Sequence, residues 1–85
     1  MPKVSANAQL KGETARITYE YVNVRANHST HSRILNVLDY GDTVHLTGER
    51  CEYWLDEIHA VWYEVVFPTS EGTDTGWIVA EAIQF

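Results

Sequence analysis

The fold class is decided by the stretch DYGDTVHLTG, residues 39–48. Its first four residues form a polar turn, in which Gly41 can adopt a positive φ without steric cost. The residues that follow alternate, so that Val44 and Leu46 point to one face of a strand and His45 points to the other. Alternation with a period of two between glycine breaks indicates a half-buried strand. The stretch therefore predicts a tight turn followed by a β-strand.

The rest of the chain repeats this pattern of short apolar alternations separated by polar turns. Residues 26–32 and 68–75 are rich in turn-forming residues and are predicted to be loops. No segment has the length and period of a long helix, so the sequence predicts an all-β barrel of five to seven short strands. The predicted core consists of the inward members of these strands, Val22, Val24, Leu35, Leu38, Val44, Leu46, Val65 and Ile78.

Length and composition predict a single domain with a short lead-in. The chain has 85 residues, and residues 1–14 lack apolar periodicity, so we expect a flexible lead-in or linker there and the barrel at 15–85. The net charge of −6 argues against nucleic-acid binding, which needs a basic face. No apolar run approaches the length of a membrane span, so none is expected.

The segment 50–61 can be interpreted in two ways. It fits two arms of a hairpin that turn at Asp56-Glu57, and its apolar residues also fit a short helical stripe. The hairpin is favoured, because β-branched and aromatic residues dominate the second arm. Only as a hairpin could Cys51 and His59 face one another.

A set of residues runs along the chain in a fixed order of short strand ends, glycine turns and tryptophans. The set consists of Asn23-Val24-Arg25, Ser29-Thr30, Ile34-Leu35, Leu38, Gly41, Val44, Leu46, Gly48, Trp62, Val65 and Gly76-Trp77-Ile78. This ordered set resembles the bacterial Src-homology-3 (SH3) domain family. The resemblance implies a small SH3-like barrel and a non-catalytic binding module. Many members of the family bind cell-wall peptides or peptidoglycan and hold a partner enzyme near its substrate. The resemblance also implies a bacterial cell envelope or secreted location if the chain is part of a longer protein, and a cytoplasmic one otherwise.

Three departures from the family pattern fall on the surface that its members tend to use for ligands. Asn27-His28 stands where the family usually has Gly-Pro. The segment 50–61 is longer than the usual link into the Trp strand, and the loop at 68–75 is also long.

The sequence holds no complete catalytic or metal-binding constellation. A structural zinc site needs four nitrogen or sulfur ligands, and the only close pair here is His28 and His31. A Cys51–His59 nucleophile pair would need an oxyanion hole, and nothing in the sequence marks one. We therefore expect no enzyme activity, no catalytic residues, no metal and no cofactor.

Aromatic residues exceed what a small core needs, and in small barrels such rings often line a groove for a peptide or a glycan. The aromatic surplus and the family's use of the adjacent loop predict a groove for a cell-wall peptide, a glycan or a protein segment. One wall of this groove is the loop at 28–31. The predicted ligand-binding residues are Tyr19, Tyr21, His28, His31, Tyr40, Trp62 and Trp77.

The apolar residues of segment 50–61 support an alternative function. Exposed apolar groups favour association, so the segment either folds back over the barrel or is covered by a partner. The alternative is a packing domain that docks on a neighbouring domain or self-associates, most simply as a homodimer about a two-fold axis with Trp54 as anchor. The predicted interaction residues are Tyr53, Trp54, Leu55 and Ile58.

Overall fold

A computed structural model describes residues 3–85, and it has the all-β fold that the sequence predicts. Eight strands are present where five to seven were expected, and β5 and β6 are long. No helix in the described part of the chain is long and apolar enough to cross a membrane. The strands are β1 (Lys3–Ala6), β2 (Thr14–Ile17), β3 (Val22–Arg25), β4 (Ile34–Leu38), β5 (Thr43–Leu55), β6 (Ile58–Thr69), β7 (Gly72–Val79) and β8 (Ile83–Gln84), with a 3₁₀ helix at Ala80–Ala82.

The strands form one curled antiparallel sheet in the order β4-β3-β7-β6-β5-β2-β8, and β1 pairs separately with β5. The predicted core is confirmed, because all of its residues are buried except Leu35, which is half-buried and packs against the others. The core also contains Ile17 and Phe67, at 0% and 1% exposure, and the buried Ala15 and Ala82.

The lead-in differs from the expected flexible segment in the residues that the structure describes. Lys3–Ala6 form β1, antiparallel to residues 49–52 of β5. Asn7 N–H then donates to the Gly48 carbonyl oxygen at 2.8 Å. All four β1 side chains are exposed, so backbone hydrogen bonds to β5 hold this strand in place. Because none of its side chains is buried, the sequence of β1 shows no alternation of apolar and polar residues. Residues 1–2 lie outside the described part of the chain.

The expected loop at 68–75 also differs, since the β6–β7 ladder continues through it to the pair Thr69 and Gly72. The side chains of residues 68–75 are all exposed, so they lack the apolar alternation that marks a half-buried strand. Pro68 is tolerated because β5 pairs with β6 only as far as Val66, which leaves one side of β6 unpaired there.

Segment 50–61 is a hairpin, the interpretation that the sequence favours. β5 and β6 pair from Arg50 and Tyr63 out to Leu55 and Ile58. Successive residues alternate between two faces. The Trp62 face carries Cys51, Tyr53, Leu55, Ile58, Ala60 and Trp62, and the Trp54 face carries Arg50, Glu52, Trp54, His59, Val61 and Tyr63.

Candidate ligand groove

A groove of about 270 Å³ lies between the loop at 18–21, the outer side chains of β3 and Trp62 of β6. Its lining combines aromatic rings with hydrogen-bonding and charged groups, which is the mixture that binding sites use to gain affinity and to fix orientation. The lining residues are Tyr19, Glu20, Tyr21, Val22, Asn23, Arg25, Thr30, Trp62, Val79 and Ala82.

The two tyrosines of this groove are presented by a tight connection between β2 and β3. Thr18 N–H donates to the Ala82 carbonyl oxygen at 2.9 Å, which ties the connection to the 3₁₀ helix. Tyr21 has φ of 59°, a left-handed conformation that costs a non-glycine residue about 1–2 kcal/mol. Tyr19 and Tyr21 are 59% and 74% exposed, so both rings are free to contact a ligand.

Trp62 connects the groove to the hairpin and to the loop at 26–33. Its indole Nε1 donates to the Tyr53 hydroxyl oxygen at 3.0 Å, and the Tyr53 hydroxyl donates to the His28 carbonyl oxygen at 3.3 Å. Trp62 is 2% exposed and packs with Cys51 and Trp77 on the Trp62 face. The hairpin therefore holds the loop that forms one end of the groove.

The loop at 26–33 is also folded by its own hydrogen bonds. Arg25 Nη1 donates to the Ser32 carbonyl oxygen at 2.9 Å, and the Ser32 hydroxyl donates to the Ser29 carbonyl oxygen at 2.7 Å. The His28 ring meets the Trp77 ring edge-on, with 5.0 Å between centroids. A loop that is already ordered loses little conformational entropy when a ligand binds.

The family model for the bacterial SH3 domain matches residues 20–84, which include most of this groove. The chain belongs to the bacterial SH3 domain family. Members of this family are binding or targeting modules, generally non-catalytic, that bind proteins or the cell wall. No curated protein and no solved structure matches the chain.

The structure of this SH3 domain brings together some of the predicted ligand-binding residues and separates others. Tyr19, Tyr21 and Trp62 line one groove. The other four lie outside its lining. His28 belongs to the loop at 26–33, and its ring packs edge-on against Trp77. Tyr40 is 66% exposed in the β4–β5 turn, and His31 is exposed on the loop surface.

Four polar lining residues were not predicted as ligand contacts. Asn23 and Arg25 alternate with the buried Val22 and Val24, so strand alternation alone places them on the outer face of β3. That alternation could have been used to predict Asn23 and Arg25 as outward-facing groove residues. The sequence holds no such pattern for Glu20 and Thr30, because their place in the groove depends on how two loops meet.

The predicted interaction residues of the SH3 domain divide between the two hairpin faces. Leu55 and Ile58, which are 61% and 67% exposed, lie on the Trp62 face together with the half-buried Tyr53. Trp54 is 68% exposed and lies on the opposite face. These four residues therefore do not form one continuous patch.

The Trp54 face carries an ion cluster. Glu52 accepts hydrogen bonds from Arg50 at 3.2 Å and from His59, whose ring stacks on Trp54 with 4.7 Å between centroids. The Arg50 hydrogen bond, followed by that of His59, lowers the pKa of Glu52. Because the pKa of Glu52 is lower in the folded protein, its ionised carboxylate stabilises the fold at pH values above the pKa of this group in the unfolded chain. This stabilisation is lost as the pH falls through the pKa of Glu52 in the folded state.

The Cys51 thiol is fully buried, and burial raises its pKa. The hairpin does not bring it to His59, since Cys51 lies on the Trp62 face and His59 on the Trp54 face. A hairpin was the condition under which the sequence allowed these two side chains to face each other. The observed register places them on opposite faces and so rules out that contact. Within residues 3–85, no group of three or more His, Cys, Asp or Glu side chains could hold a metal ion.

Replacing Tyr53 with phenylalanine should destabilise the SH3 domain by about 1–3 kcal/mol, because the Trp62 N–H loses its acceptor in a half-buried site. The loop at 26–33 also loses its bond to the hairpin, so its amide hydrogens should exchange faster. Urea denaturation and hydrogen exchange measure the two effects. A Tyr40→Phe variant is the control, since Tyr40 is 66% exposed in the β4–β5 turn. Equal losses in both variants would contradict the role of Tyr53.

Proposed function

We propose that this SH3 domain is a non-catalytic module that binds an extended peptide in the groove, with a cell-wall peptide as the first candidate. The observation that carries the proposal is the pair of exposed rings, Tyr19 and Tyr21, standing beside Trp62 in a groove whose loops are already ordered. Aromatic side chains supply large contact area at low entropic cost.

The polar groups of the groove suit the ends and the amides of a peptide. The Asn23 amide and the Thr30 hydroxyl both donate and accept hydrogen bonds, as a peptide backbone requires. Glu20 offers a carboxylate to an amino group, and Arg25 offers a guanidinium to a carboxylate. A short peptide that carries both kinds of charged group, as cell-wall peptides do, matches this set.

The net charge of −6 helps to decide whether the ligand is a free peptide or the intact cell wall. An acidic domain is repelled at long range by an anionic polymer, while a short peptide with a free amino group is not. Recognition would therefore be local, through the groove, and the domain should bind soluble peptide fragments more tightly than it binds the intact anionic wall.

An NMR titration with soluble peptidoglycan fragments tests the proposal. Chemical-shift changes should map to Tyr19, Tyr21, Asn23 and Thr30, and Tyr21→Ala should weaken binding about tenfold or more, as loss of a central aromatic contact does. Tyr40→Ala is the matched control, because this tyrosine is equally exposed and lies outside the groove. Shifts that map wholly to the β4–β5 turn, or equal losses in the two variants, would overturn it.

A second candidate function is a packing role, in which the hairpin docks on a neighbouring domain or on another copy of the chain. It is favoured by Trp54, Leu55 and Ile58, each more than 60% exposed at the end of the hairpin. Large apolar side chains exposed on both faces at one end of a hairpin favour association. The two functions are compatible, since Trp54 points away from the face that carries Trp62.

A further inference from the structure

The Trp54 face of the hairpin carries residue pairs at equal distances on either side of a centre, so a two-fold rotation superposes one flanking pair on the other. Its centre is the cross-strand pair of Glu52 and Val61. The pair of Trp54 and His59 lies two residues toward the turn, and the pair of Arg50 and Tyr63 lies two residues toward the barrel. Each flanking pair is therefore about 7 Å from the centre, at roughly 3.3 Å per residue.

The two ends of this face carry opposite charge. The turn end has the carboxylates of Asp56 and Glu57. At the barrel end, Lys11 lies against β5 at Gly48, where a Cβ atom on this glycine would be 3.5 Å from the Lys11 Cβ. The Arg50 guanidinium lies between this end and the centre, with its side chain 30% exposed. Acid thus lies at the turn end of the face, and base lies at its barrel end, beside the irregular part of the β5 register.

We propose that the Trp54 face is a self-association surface, and that its occupant is the same face of a second copy, packed antiparallel about a two-fold axis at Glu52 and Val61. An isologous interface requires a surface that is complementary to itself after rotation. This rotation places Trp54 of each copy on the Arg50–Tyr63 end of the other. It also brings the acidic turn of each copy to Lys11 of the other.

This arrangement makes favourable contacts at both ends of the face and places one like-charged pair at its centre. An indole ring over a guanidinium gains a cation–π interaction, and the exposed Phe85, which meets Tyr63 edge-on at 5.6 Å, extends the apolar contact. At the centre the two Glu52 carboxylates approach each other, and the charge of each is offset by its own Arg50 guanidinium, 3.2 Å away. The two Val61 side chains meet there without charge.

The anchor of the interface is held in place before association. The Trp54 ring stacks on His59, at an interplanar angle of 16°, and Glu52 fixes the imidazole through a hydrogen bond. A side chain that is already ordered loses less entropy in an interface, and buried Trp is a common hot spot. The turn adds a second indication, because Asp56 and Glu57 have φ of 48° and 69°, where glycine would be less strained. Aspartate tolerates this conformation, so the conformational cost falls on Glu57.

This inference deepens the packing role of the hairpin and does not depend on ligand binding in the groove. It also revises the geometry expected from the sequence, because Trp54 acts from one face and Leu55 and Ile58 take no part. The face is small, so we expect a weak dimer that forms in the micromolar to millimolar range.

Light scattering of the whole chain, from about 10 µM to 1 mM, tests the dimer. The mass of the wild type should rise from monomer to dimer, and Trp54→Ala should remain monomeric throughout with an unchanged circular dichroism spectrum. Ile58→Ala is the matched control, because Ile58 is 67% exposed at the same turn but lies on the other face. Its association should equal that of the wild type.

Charge reversal then tests the antiparallel geometry. Lys11→Glu and Glu57→Lys should each weaken association about tenfold, because each homodimer then holds two like-charged contacts. An equimolar mixture of the two variants should restore the dimer, since the mixed pair has opposite charges at both ends. A wild type that is monomeric at 1 mM overturns the inference, as does a mixture that fails to recover. If Ile58→Ala alone abolishes association, the hairpin packs through its other face, so the packing role stands and this interface falls.

Discussion

Phe67→Ala is expected to destabilise the domain by about 3–5 kcal/mol. Phe67 is a large side chain of the core and is only 1% exposed. Its ring lies on the same face of β6 as Val65, within the main core. Removing it forfeits the burial of the ring and leaves a cavity that a curled sheet closes only in part.

The size of this loss matters because a domain of 85 residues has a stability of only about 4–13 kcal/mol. Urea denaturation at 25 °C measures it, and Phe67→Ala should be partly unfolded if the wild type lies at the low end. Phe67→Leu, which keeps most of the volume, should cost below about 1.5 kcal/mol. The chain's other phenylalanine, Phe85, is 63% exposed, so Phe85→Ala should change stability little. Similar losses for Phe67→Ala and Phe85→Ala would show that the core has been misassigned.

Gly76→Ala is expected to destabilise the domain by about 1–3 kcal/mol through overpacking. A Cβ atom at Gly76 would lie 2.6 Å from Val24 Cγ1, 3.0 Å from the Arg25 carbonyl oxygen and 3.3 Å from Leu35 Cδ1. Side chains can shift, but the Arg25 carbonyl belongs to the backbone of β3. The added methyl group should therefore push β3 away from β7, and because Arg25 lines the groove, ligand affinity should fall together with stability.

A double-mutant cycle separates this clash from a general intolerance of β7. Val24→Ala removes the nearest contact, so the double variant Val24→Ala/Gly76→Ala should be less destabilised than the sum of the two single variants, by 0.5 kcal/mol or more on the scale of about 0.5–3 kcal/mol seen for residues in contact. Strict additivity would mean that the methyl group does not meet Val24.

The sequence predicted the parts of the fold in which side chains alternate between core and solvent. Val44 and Leu46 mark both a strand and its buried face, so their burial followed from the pattern. β1 and the outer part of the β6–β7 hairpin were missed, because their side chains are exposed on both faces and only backbone bonds define them. Backbone hydrogen bonds do not depend on residue type, so a strand defined by them alone cannot be predicted from the pattern of side chains.

Some of the aromatic residues of the candidate groove could be predicted from the sequence, but the shape of the groove could not. Tyr19, Tyr21 and Trp62 stand out by residue type, and the structure places them together. Tyr40 stands out equally but lies elsewhere, because the position of a turn relative to a groove depends on how the sheet curls. The faces of the hairpin depend on the irregular register between Leu46 and Arg50, which composition does not reveal.

The alternation of the β5–β6 hairpin constrains how the length of this segment can change over evolution. A single residue inserted or deleted within one arm would exchange the faces of every side chain of that arm between the change and the turn. Ile58 would then stand beside Trp54, and His59 would leave Glu52. A pair of residues added at the turn, one to each arm, would lengthen the hairpin and leave both faces intact. Natural variants of this segment should therefore differ in length by even numbers of residues.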